Sequence, residues 1–217
     1  MKLVVFDVDG TLIDSQALII GAMQIAFEEA GMVPPGREDV LSIVGLSLPV
    51  AIGRLVPDCS DEQCDVLAEG YRNAFLSRRA VNEAPLYPGA RDCLDALFAC
   101  DDLLLAVATG KSRRGLDAML EHHGLERYFV SLQTADNHPS KPHPEMLLTA
   151  CREAGVDAGK AMMIGDTDYD MDMAKAAGTG AIGVSWGYHP VERLQQAGVP
   201  VAGGFAALQK MIGDWAR

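Results

Sequence analysis

Between residues 88 and 185, short apolar runs alternate with segments of helical spacing, and this alternation constrains the fold more than any other feature of the chain. The runs at 103–108, 128–134, 161–164 and 181–185 have the length and aliphatic content of buried strands. Between and around them the apolar residues recur every three to four positions. Helices are predicted from Ala90 through Phe98, from the capping residue Ser112 to Gly124, over 144–154, from the acidic turn after Gly165-Asp166 to Gly178, and over 205–212. Strands that are apolar throughout and separated by helices form a mostly parallel sheet with helices on both faces, an α/β fold. One further strand, at residues 3–6, stands at the start of the chain and ends in Asp7-Val8-Asp9-Gly10-Thr11.

Between that first strand and residue 82 the pattern is helical throughout. Asp14-Ser15 opens a helix that Gly31 stops, Pro34-Pro35-Gly36 breaks the chain, and helical spacing resumes over 40–44, 48–55 and 60–76. The expected organisation is a core of residues 1–14 and 83–217 interrupted by an all-helical domain of residues 15–82. Both connections of such an insertion leave beside Asp7 and Asp9, so a hinged bundle is placed to close over them.

Composition excludes several functions. With 49% hydrophobic residues in 217 the chain can bury a large core. A net charge of -12 argues against a nucleic-acid partner, which needs clustered Lys and Arg. No apolar stretch approaches the roughly 20 residues of a membrane span, and the opening lacks the apolar segment of a signal peptide, so a cytoplasmic protein with no membrane partner is expected. The five cysteines form no CxxC motif, and ordinary reduced thiols are expected rather than a zinc site or a disulfide framework.

Parallel sheets bind ligands at the carboxyl ends of their strands. Those ends carry Asp7 and Asp9, then Thr109 with Gly110 and Lys111, then a loop with Lys141, then Asp166, Asp168 and Asp170. Residues two apart on a strand point to the same side, and two carboxylates about 4 Å apart repel by roughly 4 kcal/mol at an effective dielectric of about 20. A cation, a proton or a turn that exposes one of them must offset this. Taken singly, each group has a plain structural reading: an Asp-Gly turn, a capping hydroxyl, a surface lysine, an acidic first helical turn. Together they make a set for phosphoryl transfer through an aspartyl phosphate. Asp7 is the candidate nucleophile, Asp9 the acid and base, Lys141 a fixed positive charge, and Thr109 and Gly110 the binders of phosphoryl oxygens. Asp7, Asp166 and Asp170 are candidate ligands of a Mg2+ ion. An Asp that holds a proton at neutral pH needs a shift worth roughly 4 kcal/mol, from an acidic neighbour or a dry, closed site.

The chain resembles the haloacid-dehalogenase superfamily, specifically phosphatases with a helical cap inserted after the first strand. Asp7-Val8-Asp9-Gly10-Thr11-Leu12 matches the opening DxDGT motif, Thr109 the second, Lys141-Pro142-His143-Pro144 the third, and Gly165-Asp166-Thr167-Asp168-Tyr169-Asp170 the GDxxxD fourth. The resemblance implies a Rossmann-like core and magnesium, and it adds Asp9 to the metal site through its backbone carbonyl. A second aspartate at position 9 favours phosphate-ester hydrolysis over dehalogenation, and the absence of lysine between Lys2 and Lys111 argues against a phosphonatase. The stretch Gly183-Val184-Ser185-Trp186-Gly187-Tyr188 looks like the phosphoglycolate-phosphatase branch, which makes 2-phosphoglycolate the first expected substrate. The same branch suggests that the loop at Gly45 faces the substrate; the alternative is that Gly45 merely separates two helices. Arg54 either meets a substrate carboxylate or keeps the surface soluble. A sugar-phosphate mutase and a non-enzymatic phospho-accepting module are the competing readings, and a monomer or homodimer is expected.

Overall fold

The chain is described by a computed structural model over residues 1–81 and 83–217. Six strands, β1 (Lys2–Phe6), β2 (Leu103–Thr109), β3 (Phe129–Thr134), β4 (Ala161–Gly165), β5 (Gly180–Val184) and β6 (Val201–Ala202), form one sheet in the order β3-β2-β1-β4-β5-β6. Every pairing is parallel; Val4, for instance, lies between Leu105 and Met162. The chain winds outward from β1 through β2 to β3, then returns to β4 on the other side of β1. In such sheets the crevice outside the strand ends, where the winding reverses, is the ligand site. Here that crevice lies between the ends of β1 and β4, the positions of Asp7 and Asp166.

Alternation along the strands divides the core. Val4, Phe6, Leu105, Val107 and Ile164 pack on one face with residues of α5 (Ala90–Phe98), α6 (Arg113–His123) and α10 (Phe205–Ala216). Leu3, Val5, Ala106, Ala108 and Met163 pack on the other with α7 (Glu145–Ala154) and α8 (Asp168–Ala177). β1, β2, β4 and β5 are nearly all apolar because both of their faces are covered, while β3, at an edge of the sheet, carries Ser131 and Gln133 and exposes Val130.

Between β1 and β2, the helices α1 (Gln16–Glu29), α2 (Arg37–Ser42), α3 (Leu48–Leu55) and α4 (Asp61–Val81) gather around Met23, Phe27, Val40, Ile52 and Leu67. The two chain segments that join them to the sheet run side by side: Asp14 donates its amide to Pro85 at 2.9 Å and Tyr87 donates to Leu12 at 3.0 Å. The expected boundary at Asn82 lies outside the described residues.

Three features depart from the sequence expectations. α9 (Val191–Gln196) and β6 are additional; β6 is two residues long, too short to produce a periodic signal. Cys59 and Cys64 are joined by a disulfide, which corrects the expectation of reduced thiols throughout. The turn into α4 brings their Cα atoms to 6.0 Å, within the span such a bond needs. No helix among the described residues is long and apolar enough to cross a membrane.

Candidate active site

Asp7 leaves the end of β1, Asp166 the end of β4, and Asp170 the first turn of α8, and one carboxylate oxygen from each lies within 4.8 Å of the others, all buried. Local chemistry fixes two of the three. Thr167 caps α8: its hydroxyl accepts from the Asp170 amide at 3.3 Å while its own amide donates to Asp170 Oδ2 at 3.1 Å, the reciprocal pairing of a capping box, and the hydroxyl also donates to Asp170 Oδ2 at 2.7 Å. Asp166 accepts from the Thr11 hydroxyl at 2.9 Å and from the Tyr188 amide at 2.8 Å. Gly187 and Gly10 make room for it. A Cβ on Gly187 would fall 2.1 Å from Asp166 Cβ, and one on Gly10, whose φ is +84°, would fall 2.3 Å from Asp166 Oδ2.

Lys141 is buried between the carboxylates, with Nζ 2.7 Å from Asp170 Oδ1 and 3.0 Å from Asp7 Oδ1. Burial alone would lower its pKa; Asp170 and Asp7 more than offset that and raise it, so it stays charged. Three buried carboxylates face one ammonium, so ionising all of them would leave two charges uncompensated. Burial, and then repulsion from Asp170, push Asp7 up to about 7 even though Lys141 opposes the shift. Burial also raises Asp166 well above the carboxylate range, with Asp170 and Asp7 adding to it. Although Lys141 is close, neither Asp7 oxygen receives a hydrogen bond of acceptable geometry among the described residues. Three buried carboxylates that offer hard oxygen ligands within 4.8 Å of one another, with a single ammonium between them, fit a divalent cation such as Mg2+.

A family model described as haloacid dehalogenase-like hydrolase matches residues 4–184. The chain belongs to this family. A relative from Dickeya dadantii named "Probable phosphatase IndB" is 38% identical over 200 residues, 90% of this chain and 86% of the relative. A phosphoglycolate phosphatase from Agrobacterium fabrum is 31% identical over 211 residues, 95% and 90% of the two chains. Among solved structures, a "predicted phosphatase" from Clostridium acetobutylicum superposes with a TM-score of 0.88 at 26% identity, covering 98% of each chain. In this haloacid dehalogenase-like hydrolase, then, the acidic cluster sits in the fold shared by proteins named phosphatases.

Asp9 lies two residues beyond Asp7, and its carboxylate is not part of the cluster. Its Oδ1 accepts from the Ser15 hydroxyl at 2.6 Å and lies 2.9 Å from Lys111 Nζ. Ser15 therefore does not cap α1 with its side chain, as its position in the sequence suggests; the hydroxyl turns back to Asp9, while its amide donates to the Tyr188 hydroxyl at 2.9 Å. Thr109 is buried at the end of β2, its Oγ1 accepting from the Lys111 amide at 3.2 Å. Gly110 follows where a side chain cannot: a Cβ there would lie 2.5 Å from the Gly45 carbonyl and 2.6 Å from that of Leu46. The loop between α2 and α3 is thus seated directly on the end of β2. Further contacts hold it there, with the Ser47 amide donating to Ser140 Oγ at 2.8 Å and the Tyr169 hydroxyl donating to the Ser42 carbonyl at 2.9 Å.

Asp7, Asp9, Gly45, Thr109 and Gly110 all line one cavity of ≈ 770 Å³ between the helices α1–α4 and the strand ends, while Lys141 sits between Asp7 and Asp170. Arg54 is not among the lining residues; it donates to the Tyr169 hydroxyl at 2.7 Å on a different groove. Sequence reasoning gave no role to Thr11, Ser15, Lys111 or Tyr188. Thr11 is inside the opening motif and Tyr188 ends the stretch resembling phosphoglycolate phosphatases, so both were marked by pattern. Nothing in the local sequence marks Ser15 as a partner of Asp9.

Proposed function

We propose that this chain is a Mg2+-dependent phosphatase that hydrolyses a small phosphorylated metabolite through a phosphoaspartate on Asp7. One observation carries the reading: Asp7 is a buried carboxylate at the switch point of the sheet that lines the cavity, held by the Lys141 ammonium at 3.0 Å and clustered with Asp166 and Asp170. Asp7, Asp166 and Asp170 would hold the ion, with the main-chain carbonyl of Asp9. When bound it offsets the charge of the cluster and screens an incoming phosphate dianion.

In the first half-reaction an Asp7 oxygen attacks phosphorus and the bond to the leaving oxygen breaks, with Asp9 giving that oxygen a proton. In the second, Asp9 takes a proton from water, the water oxygen attacks the same phosphorus, and phosphate leaves as Asp7 is restored. Thr109 and the amide of Gly110, ahead of the amino terminus of α6, bind phosphoryl oxygens, and Lys141 holds Asp7 in place as an ionised nucleophile. Residues 15–82 act as a cap on a catalytic core of residues 1–14 and 83–217. The loop at Gly45, already against Gly110, supports that division.

The phosphoglycolate phosphatases among the relatives make 2-phosphoglycolate the first substrate to test. Purified protein should release phosphate in the presence of Mg2+, and Asp7→Asn should release none while remaining folded. Isomerised sugar phosphate in place of free phosphate would support the mutase reading instead, and near-normal turnover by Asp7→Asn would sink both.

A further inference from the structure

The proposed chemistry at Asp7 is common to any phosphate monoester. The substrate is selected on the other side of the cavity, where the leaving alcohol must lie. Three features of that side bear on its identity.

The first is size. The loop at Gly45 is already seated on Gly110, and the α8 side is fastened through Ser42, yet ≈ 770 Å³ remains. Cavities of roughly 300–1,000 Å³ hold ligands of drug size. A two-carbon acid would leave most of this one filled with water.

The second is the wall. Ile19 and Met23 of α1, Ile43 and Val44 after α2, and Tyr71 and Phe75 of α4 face the cavity. Tyr71 and Phe75 are one helical turn apart and form a tilted aromatic pair with ring centroids 5.8 Å apart. Lys111, the partner of Asp9, lies 4.9 Å from the centre of the Phe75 ring, so the aromatic wall begins beside the group that would protonate the leaving oxygen.

The third is charge. The two lysines beside the reacting carboxylates are paired, and an arginine on the wall is paired only in part. Lys111 is held by Asp9 and Lys141 by Asp7 and Asp170; Arg79, which lines the cavity, meets Glu83 through Nε at 3.0 Å, while its Nη1 is buried without a partner among the described residues. Arg72 and Arg114 reach the cavity from exposed positions, and Asp65 and Glu69 line it as well. Arg79 Nη1 and these surrounding donors and acceptors suit polar groups carried on a leaving group large enough to reach them.

From the size and the aromatic wall we infer that the leaving group is a bulky, ring-bearing alcohol of about nucleoside size, seated against Tyr71 and Phe75, and not a two-carbon acid. The inference rests on the phosphatase reading and specifies its substrate class.

The test is phosphate release by the intact chain with Mg2+ from 2-phosphoglycolate, a set of nucleoside 5′-monophosphates and p-nitrophenyl phosphate, whose activated leaving group reports bare phosphatase chemistry. At least one nucleoside monophosphate should exceed 2-phosphoglycolate by about tenfold or more in kcat/KM. In Phe75→Ala that ratio should fall about tenfold, mainly through KM for the ring-bearing substrate. Preference for 2-phosphoglycolate overturns the inference while leaving the phosphatase reading intact. So does a ratio unmoved by Phe75→Ala. No release from any substrate, p-nitrophenyl phosphate included, overturns the phosphatase reading and this inference with it.

Discussion

Without its cation, the acidic cluster should work against the fold, and Asp7→Asn isolates the effect. The ordinary carboxylate value is 3.8 and Asp7 is pushed up to about 7 by burial, so the folded chain binds its proton more tightly than the unfolded chain does. A raised carboxylate contributes stability that is fully present below the unfolded value and is lost as pH rises through the folded one. The gap amounts to roughly 4 kcal/mol, lost from about pH 4 to about pH 7. Asn has nearly the same volume and no charge to lose. In excess chelator, Asp7→Asn should therefore match or trail the parent near pH 4, where both side chains are neutral, and exceed it by up to about 4 kcal/mol by pH 8. Urea unfolding at a series of pH values reads the difference directly, and taking the difference cancels carboxylates elsewhere that titrate alike in both proteins. Saturating Mg2+ should reverse the order, because the ion stabilises the protein that binds it more tightly. A difference that stays flat between pH 5 and pH 8 in chelator, or an Asp7→Asn protein less stable than the parent throughout, would refute the account of the cluster as an electrostatic liability that a cation relieves.

Other perturbations probe the surrounding groups. Asp9→Asn should lower kcat by roughly a hundredfold or more and let a phosphorylated enzyme accumulate, visible by intact mass after acid quench; full activity would remove Asp9 from proton transfer. Lys141→Met leaves Asp7 and Asp170 buried without their ammonium, and should cost about 3–5 kcal/mol in metal-free urea unfolding at neutral pH. A loss below about 1 kcal/mol would show that the ion pair is not the constraint described. Gly187→Ala would place a Cβ 2.1 Å from Asp166 Cβ and should displace that carboxylate. Calorimetric Mg2+ affinity is expected to fall about tenfold or more, and an unchanged affinity would show that Asp166 is not a ligand.

What could be read from the sequence follows from how each group is encoded. Most strands announced themselves because they are apolar on both faces, and the strand ends brought Asp7, Thr109, Lys141 and Asp166 together without any knowledge of distances. Asp170 was legible because it lies in the first turn of α8, three residues after the cap Thr167. The two-residue β6 had no period to detect, and the Cys59–Cys64 pair lacked the spacing of a familiar motif. The partners of Asp9 were hidden for another reason. Where an acidic neighbour or a dry, closed site was expected to tune it, the structure puts the Lys111 ammonium and the Ser15 hydroxyl beside it. Lys111 stands at the end of a different strand and Ser15 at a helix start, where the ordinary reading is a cap.

The connections around Ser15 bear on how the two aspartates act together. Tyr188 gives its amide to Asp166 at 2.8 Å, and its hydroxyl accepts the Ser15 amide at 2.9 Å. Ser15 gives its hydroxyl to Asp9 at 2.6 Å. One tyrosine therefore links a candidate metal ligand to the residue that joins the sheet to α1, and through it to the candidate acid and base. A rotation of α1–α4 about the paired segments at Asp14 and Tyr87 would move Ser15 relative to Tyr188 and remove one of the two partners of Asp9, leaving Lys111 at the end of β2. Asp7 and Asp166 are fixed by the sheet and its close glycines and would stay where they are. The carboxylate proposed as nucleophile thus stands at the end of β1, while the one proposed for proton transfer has a partner, Ser15, at the start of α1. A carboxylate that must first give a proton and later take one is accordingly the group with one partner that moves with the insert.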